Sequence, residues 1–318
     1  MDAVYDQVKS IVSPVYMVGG CVRDTLMGVT PKDYDFITPH EPDVIEQSVR
    51  RAGRRPFLAG KRFGTIGVKI GGRLVEITTF RTERYNAGSR KPDVAFVTDI
   101  IADLGRRDFT INAIAEKDGE LIDPFNGRGD IKRKIIRCVG DAPSRFIEDP
   151  LRMLRAARFT AQLGFSIDKA VHEAARRLGH TILQVSKERW VAELDRLLLS
   201  PYVGRGVSDL METGVLRYII PELSLQKGYG GGAVWEETLR IVSLVPSDID
   251  LRWAALLSNI AQPFYPESGD RESTPRAEDS LCYDLVIRLG GHLRWSNKRV
   301  EAVSKMVKTK RDKGSPLN

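Results

Sequence analysis

The apolar pattern of this chain changes period near residue 146, and that change decides most of what it can fold into. Before it, short runs rich in β-branched and aromatic residues are punctuated by Gly and Pro. VYMVGG, YDFIT, GTIGVKI, RLVEITTF and VAFVTD read as strands. CVRDTLMG and EPDVIEQSVRRAG read as helices, the second with Pro near its start and Gly at its end. This pattern fits an α/β or an α+β domain over residues 1–140. After the change, EDPLRMLRAARFTAQLG, DKAVHEAARRLGHTI, KERWVAELDRLLLS and RGVSDLMETGVLRYI carry apolar residues at helical spacing, so the second part is expected to be mostly helical. QPFYPESGDRESTPRAED (262–279) reads as a loop, and the basic tail KMVKTKRDKGSPLN as a frayed end. There is no internal repeat.

At 318 residues the chain is long enough for two or three domains. No apolar run reaches 18 residues, so no membrane span is expected. MDAVYDQVKS has no basic region followed by an apolar one, which argues against a signal peptide. Cys21, Cys138 and Cys282 show no metal or redox spacing, and a reduced cytoplasm is the expected location. The four histidines are too dispersed to suggest zinc. A net charge of +7 suggests a polyanionic partner such as nucleic acid, although it fits an ordinary basic protein equally well.

The densest chemistry lies in GGCVRDTLMGVTPKDYDFIT, residues 19–38. Gly19 and Gly20 stand between a strand and a helix. There the backbone can approach a phosphate closely and the helix start favours negative charge. The same pair also fits a plain strand-to-helix turn. Arg23, expected at the start of that helix, can pair with a phosphate. Asp33 and Asp35 flank Tyr34, and a side-chain period of two points both carboxylates to one face. Mg²⁺ is commonly held by one or two such carboxylates together with substrate phosphates. The Asp-x-Asp pattern alone also fits two solvated side chains. Glu76, among the β-branched residues of RLVEITTF, reads as a third carboxylate, a metal ligand or base, or else as a strand residue facing water.

In order and spacing, GGCVRD, DYDF, RRDFTINAIA and EDPLRMLRAARF resemble the motifs of the class II tRNA nucleotidyltransferases, which include the CCA-adding enzymes and bacterial poly(A) polymerases. The resemblance covers roughly residues 15–225. It implies an α+β fold: a polymerase-beta-like nucleotidyltransferase head with a mixed sheet over 1–140, a helical neck over 141–222 that recognises the base, and a helical body over 223–318 that binds tRNA. It also implies addition of C, C and A to the 3′ end of tRNA from CTP and ATP, with Mg²⁺ as cofactor. By resemblance Arg107 contacts the nucleotide and Asp108 its ribose. On one continuous helix Asp149, Arg152 and Arg155 would project within about a third of a turn of one another. A carboxylate accepts from an exocyclic amino group and a guanidinium donates to a ring nitrogen. Asp149 and Arg152 would therefore accept the edges that C and A share and reject U and G. Arg155 and Arg158 complete the nucleotide pocket by resemblance. A solvated i,i+3 ion pair is the plain alternative.

DPFNGRGDI (123–131) resembles the family's hinge, with Gly127 and Gly129 allowing the bend. SKERWVAELDRLLLS resembles a supporting helix in which Glu188 and Arg189 are structural. The loop in RYNAGSRKPDVAFVTDIIADLG, with Arg90 and Pro92, has the length of CCA-adding or A-adding enzymes rather than CC-adding ones. RRDFTINA stands closer to the tRNA enzymes than to the poly(A) polymerases. Two departures stand out. Ser258-Asn259 replace a His-Asp metal pair found in many bacterial relatives, and Glu237 replaces a His, so no phosphohydrolase activity is expected. The chain also stops sooner than many relatives, so a reduced grip on the tRNA elbow is expected. A member that has lost catalysis and only binds RNA is the rival from another class.

Overall fold

The computed structural model describes residues 3–84, 93–265 and 275–312. Arg90 and Pro92, of the loop whose length was expected to set the product, lie outside them. The chain divides into two compact units, Met1–Ala142 and Pro143–Asn318.

The first unit is built on a mixed sheet. Its strands are β1 (Tyr16–Val18), β2 (Asp35–Thr38), β3 (Thr65–Ile70), β4 (Arg73–Thr79), β5 (Arg81–Arg84), β6 (Asp93–Phe96), β7 (Ala115–Lys117) and β8 (Glu120–Ile122). Six of them run in the order β3-β4-β2-β1-β7-β8, and β5 pairs with β6 as a separate ribbon. β2 and β4 are parallel, while β3–β4, β1–β2, β1–β7 and β7–β8 are antiparallel. The helices are α1 (Ala3–Ile11), α2 (Gly20–Leu26), α3 (Pro42–Arg51), α4 (Ile100–Gly105) and α5 (Gly127–Arg133).

Strand alternation splits the core in two. Phe36, Ile66, Val68 and Ile77 pack with Tyr5 and Val8 of α1 and Ile45 and Val49 of α3 on one face. Ile37 packs on the other with Val18, Phe80 and Leu104. Asp35, two residues before Ile37, shares that second face where it has opened to solvent. One face thus offers both an apolar floor and an exposed carboxylate.

The second unit is helical. Its elements are α6 (Ala142–Glu148), α7 (Leu151–Leu163), α8 (Lys169–Leu178), α9 (Lys187–Leu198), α10 (Val203–Glu212), α11 (Leu216–Ile219), α12 (Pro221–Leu225), α13 (Ala233–Leu244), α14 (Ile249–Leu257), α15 (Pro275–His292) and α16 (Asn297–Asp312). A two-residue strand, Ser166–Ile167, interrupts it.

Three expectations change. EDPLRMLRAARF is not one helix: it breaks at Asp149-Pro150, because a residue before Pro is disfavoured in the α region. The 262–279 segment is not loop throughout, since a 3₁₀ turn covers Gln262–Phe264 and α15 begins at Pro275. The basic tail is helical to Asp312. Gly127 and Gly129 of the expected hinge lie in α5, where a Cβ on Gly127 would overlap the Thr110 carbonyl oxygen, so close packing also requires that glycine.

Candidate active site

In the first unit, register brings the carboxylates together. Asp35 and Glu76 are directly paired on β2 and β4, with side chains on the same face. Asp33 precedes β2 in a bend rather than lying in the strand, so strand period alone does not orient it. All three are exposed, and none makes an ion pair or side-chain hydrogen bond among the described residues. Desolvation by the surrounding protein raises the Asp35 pKa. Arg107 opposes that shift, while Glu76 and Asp33 add to it. A carboxylate pushed up by desolvation from the neighbouring protein and by two like charges is a place where a cation is favoured. Among the described residues no three His, Cys, Asp or Glu side chains converge as a closed metal-ligand set. An all-oxygen pair open to solvent still fits a hard divalent cation that fills its shell with water and phosphate oxygens.

Gly19 turns the chain from β1 into α2 with φ +79, a conformation in which a Cβ is strained. Its missing side chain also makes room: a Cβ there would lie 3.2 Å from Arg107 Nη1. Arg107 follows α4 and donates through Nη2 to Asp103 Oδ2 at 3.2 Å. Its buried Nε has no hydrogen-bond partner among the described residues. A guanidinium with an unspent donor against a glycine turn and beside Asp35 suits a phosphate oxygen.

Arg23 corrects an expectation. It sits in the last turn of α2 rather than the first, and it is buried. Its Nε and Nη2 donate to Asp24 Oδ1 at 2.9 and 2.7 Å, and its Nη1 donates to Asn112 Oδ1 at 2.6 Å. Asn112 Nδ2 donates to Asp108 Oδ1 at 3.3 Å, and the same oxygen accepts from the Phe109 amide at 2.8 Å. Gly20 lies above this network, where a Cβ would be 3.7 Å from Arg23 Nη2. Asp108 and Arg23 therefore brace the floor under the glycine turn.

The second unit carries a separate polar cluster. Asp149 precedes α7, so it does not continue the helical face of Arg152 and Arg155. Its Oδ1 accepts from the Leu151 amide at 3.1 Å and its Oδ2 accepts from Arg189 Nη2 at 2.8 Å. Arg189, expected to be structural, thus holds a residue expected to read the base. Arg152 donates to Glu148 Oε2 at 2.7 Å rather than to Asp149. Arg158 Nε donates to Glu193 Oε2 of α9 at 2.5 Å, and Arg155 Nη1 reaches Glu193 Oε1 at 3.5 Å. Arg158 also stacks over Phe159, 3.9 Å from the ring centre.

Asp103, Asn112, Glu148 and Glu193 were not anticipated. Asp103 and Glu193 do carry a signal, as each is a carboxylate set in an apolar helical pattern, where burial demands a cationic partner. The Ser258-Asn259 segment is a neutral network: Asn259 donates to Thr238 at 3.1 Å and Thr238 donates to Gln226 at 3.0 Å. Glu237 pairs with Arg240 at 2.7 Å.

Residues 15–137 match the Poly A polymerase head domain, and residues 164–226 match the probable RNA and SrmB-binding site of polymerase A. A CCA-adding enzyme of Streptococcus pneumoniae is 33% identical over 91% of this chain and 72% of its own length. One of Anoxybacillus flavithermus is 41% identical over 79% of this chain and 61% of its own. Matches to several such relatives span only about half to three fifths of their length. The crystal structure of the Bacillus stearothermophilus CCA-adding enzyme in complex with CTP aligns over 99% of this chain and 80% of its own, with a TM-score of 0.68 and 29% identity.

Proposed function

The chain belongs to the family of the CCA-adding enzymes, and we propose that it adds C, C and A to the 3′ end of tRNA from CTP and ATP, without a nucleic-acid template and with release of pyrophosphate. The observation that carries this reading is the Asp35–Glu76 pair on the open sheet face, with Arg107 against the Gly19 turn. The family's chemistry depends on a divalent metal ion, and Mg²⁺ is the ion this donor set suits. When bound, it activates the attacking hydroxyl and neutralises charge on the transferring phosphate.

Each residue then has a task. Asp33 and Asp35 hold the metal, and Glu76 extends the negative field beside them. Gly20 and Arg107 receive the triphosphate, while Arg23 and Asp108 keep that turn in shape through Asn112. In the second unit, Asp149 and Arg152 read the amino-plus-acceptor edge of C and A, and Arg155 and Arg158 position the nucleotide. Glu148, Arg189 and Glu193 fix these groups before any base arrives, so little rotamer entropy is lost on recognition. Residues 141–222 act as the base-reading neck and 223–318 as the tRNA-binding body. The net charge of +7 favours RNA phosphates. No helix among the described residues is long and apolar enough to cross a membrane, and we place the protein in the cytoplasm with its tRNA substrate.

Three tRNA transcripts, ending before CCA, after C and after CC, are incubated with Mg²⁺ and CTP, ATP or both. All three should grow to CCA and stop. Extension of only the CC-ending transcript by one A would make it an A-adding enzyme, and a stop at CC would make it a CC-adding one. Long A tails on any RNA would indicate a poly(A) polymerase. No extension would leave an RNA-binding protein.

A further inference from the structure

The open face of the first unit holds more than carboxylates. Phe57 lies outside the named strands but pairs with Gly67 of β3: the Phe57 amide donates to Gly67 O at 2.8 Å, and the Gly67 amide donates back at 3.0 Å. Gly67 is directly opposite Glu76, and Glu76 is directly opposite Asp35. Phe57, Gly67, Glu76 and Asp35 therefore form one row across the sheet, on one face. With strands about 4.8 Å apart, the row spans roughly 14 Å.

Gly67 lets the apolar members of this region meet. A Cβ there would lie 3.1 Å from Phe57 Cβ and 3.3 Å from Leu74 Cδ1, so both side chains close over the glycine. They remain open to solvent, Phe57 at 39% and Leu74 at 54% exposure, whereas Ile37 on the same face is buried. Lys69 is the cross-strand partner of Leu74, and Arg54 Nη1 donates to the Lys69 carbonyl at 2.8 Å. Both cations are exposed or nearly so, at the edge of the apolar surface.

We propose that Phe57, flanked by Leu74, is the platform on which the 3′-terminal base of the RNA primer stacks, with Lys69 and Arg54 drawing in the adjoining phosphate. This rests on the function proposed above. Two features select this occupant. An aromatic face bordered by cations is the composition that binds single-stranded nucleic acid without regard to sequence. The carboxylates also divide the sheet. The glycine turn and Arg107 lie on the β1 side of Asp35, whereas Phe57 lies across β3 on the opposite side of Glu76, with Leu74 two residues from Glu76 along β4. The triphosphate takes the first side, which leaves the second for the strand whose terminal hydroxyl attacks. A stacking surface indifferent to base identity suits a primer whose last base changes after every addition.

The test uses tRNA transcripts with 2-aminopurine as the 3′-terminal base, whose fluorescence falls on stacking, mixed with the full chain without nucleotide. The wild type should quench the probe. Phe57→Ala should lose most of the quench and raise primer KM roughly tenfold, with kcat and the KM for CTP and ATP within about twofold. Phe57→Trp should restore both readouts, which a merely structural role for the ring would not produce. Equal quench and equal primer KM in the wild type and Phe57→Ala would overturn the platform while leaving the function standing. A wild type that quenches through Phe57 but never extends the primer would overturn the function and retain the platform.

Discussion

The two units handle buried and half-buried charge in opposite ways. In the first, Asp35 and Glu76 share an open face, with Asp33 close enough to act on Asp35; no counter-charge is bonded to them among the described residues, and Arg107 acts on Asp35 only through space. In the second, the arginines are already compensated: Arg152 by Glu148, and Arg155 and Arg158 by the buried Glu193. An uncompensated cluster is unstable on its own and gains from a ligand that brings the missing charge. A compensated cluster is rigid and gains selectivity, because its donors and acceptors already point in fixed directions. This contrast predicts that the first cluster governs turnover and the second governs stability.

The largest expected effect is on turnover in the first unit. Asp35→Asn or Asp33→Ala removes a metal-holding carboxylate, a loss of several kcal/mol in transition-state stabilisation, or at least about 10³-fold in nucleotide incorporation. Filter binding of tRNA should be unchanged. Retained turnover would break the comparison at its first half.

The next effect is on stability in the second unit. Glu193→Ala leaves Arg158 buried without its main partner and should lower unfolding free energy by about 3–5 kcal/mol in urea titration. Glu76→Ala, at an exposed and unbonded site, should change it by no more than about 0.5 kcal/mol. Similar losses in both variants would erase the distinction between the clusters.

The smallest effect tests the sign of the strain. The folded-state pKa of Asp35 is raised, so its protonated form favours folding, and that contribution is lost as pH rises through the folded value. In chelator, Asp35→Asn should therefore be slightly more stable than the wild type at pH 7 and no more stable at pH 3. The difference is kept small by solvent screening of an exposed carboxylate. Thermal melts at the two pH values read it directly. A variant less stable at pH 7 would mean that the carboxylate is compensated after all.

Much of the first unit was legible from its residues. The strand runs, the helix of residues 42–51 with Pro near its start and the glycine pair all appear where alternation and turn chemistry place them, whereas Asp33 falls in a bend just before β2. Helical periodicity likewise located α8, α9 and α10. It failed at Asp149, where the apolar spacing runs on but the following proline ends the helix. Nor could the sequence show the packing role of Gly127, because a glycine needed for contact looks like any other until the neighbour is known. That neighbour, the Thr110 carbonyl, comes from 17 residues earlier in the chain.

The chain alone determined most of its secondary structure, its change of layer near residue 146 and which residue types could hold a metal or a phosphate, since those follow from local period and side-chain chemistry. Tertiary structure decided which charges remain open and which are bound. Arg158 meets Glu193 35 positions away, Arg23 meets Asn112 89 away, and Phe57 joins the row of Asp35 only through the pairing of β3, β4 and β2. Sheet register and helix packing create such partnerships, and neither is written in local spacing, because both depend on which distant surfaces bury each other.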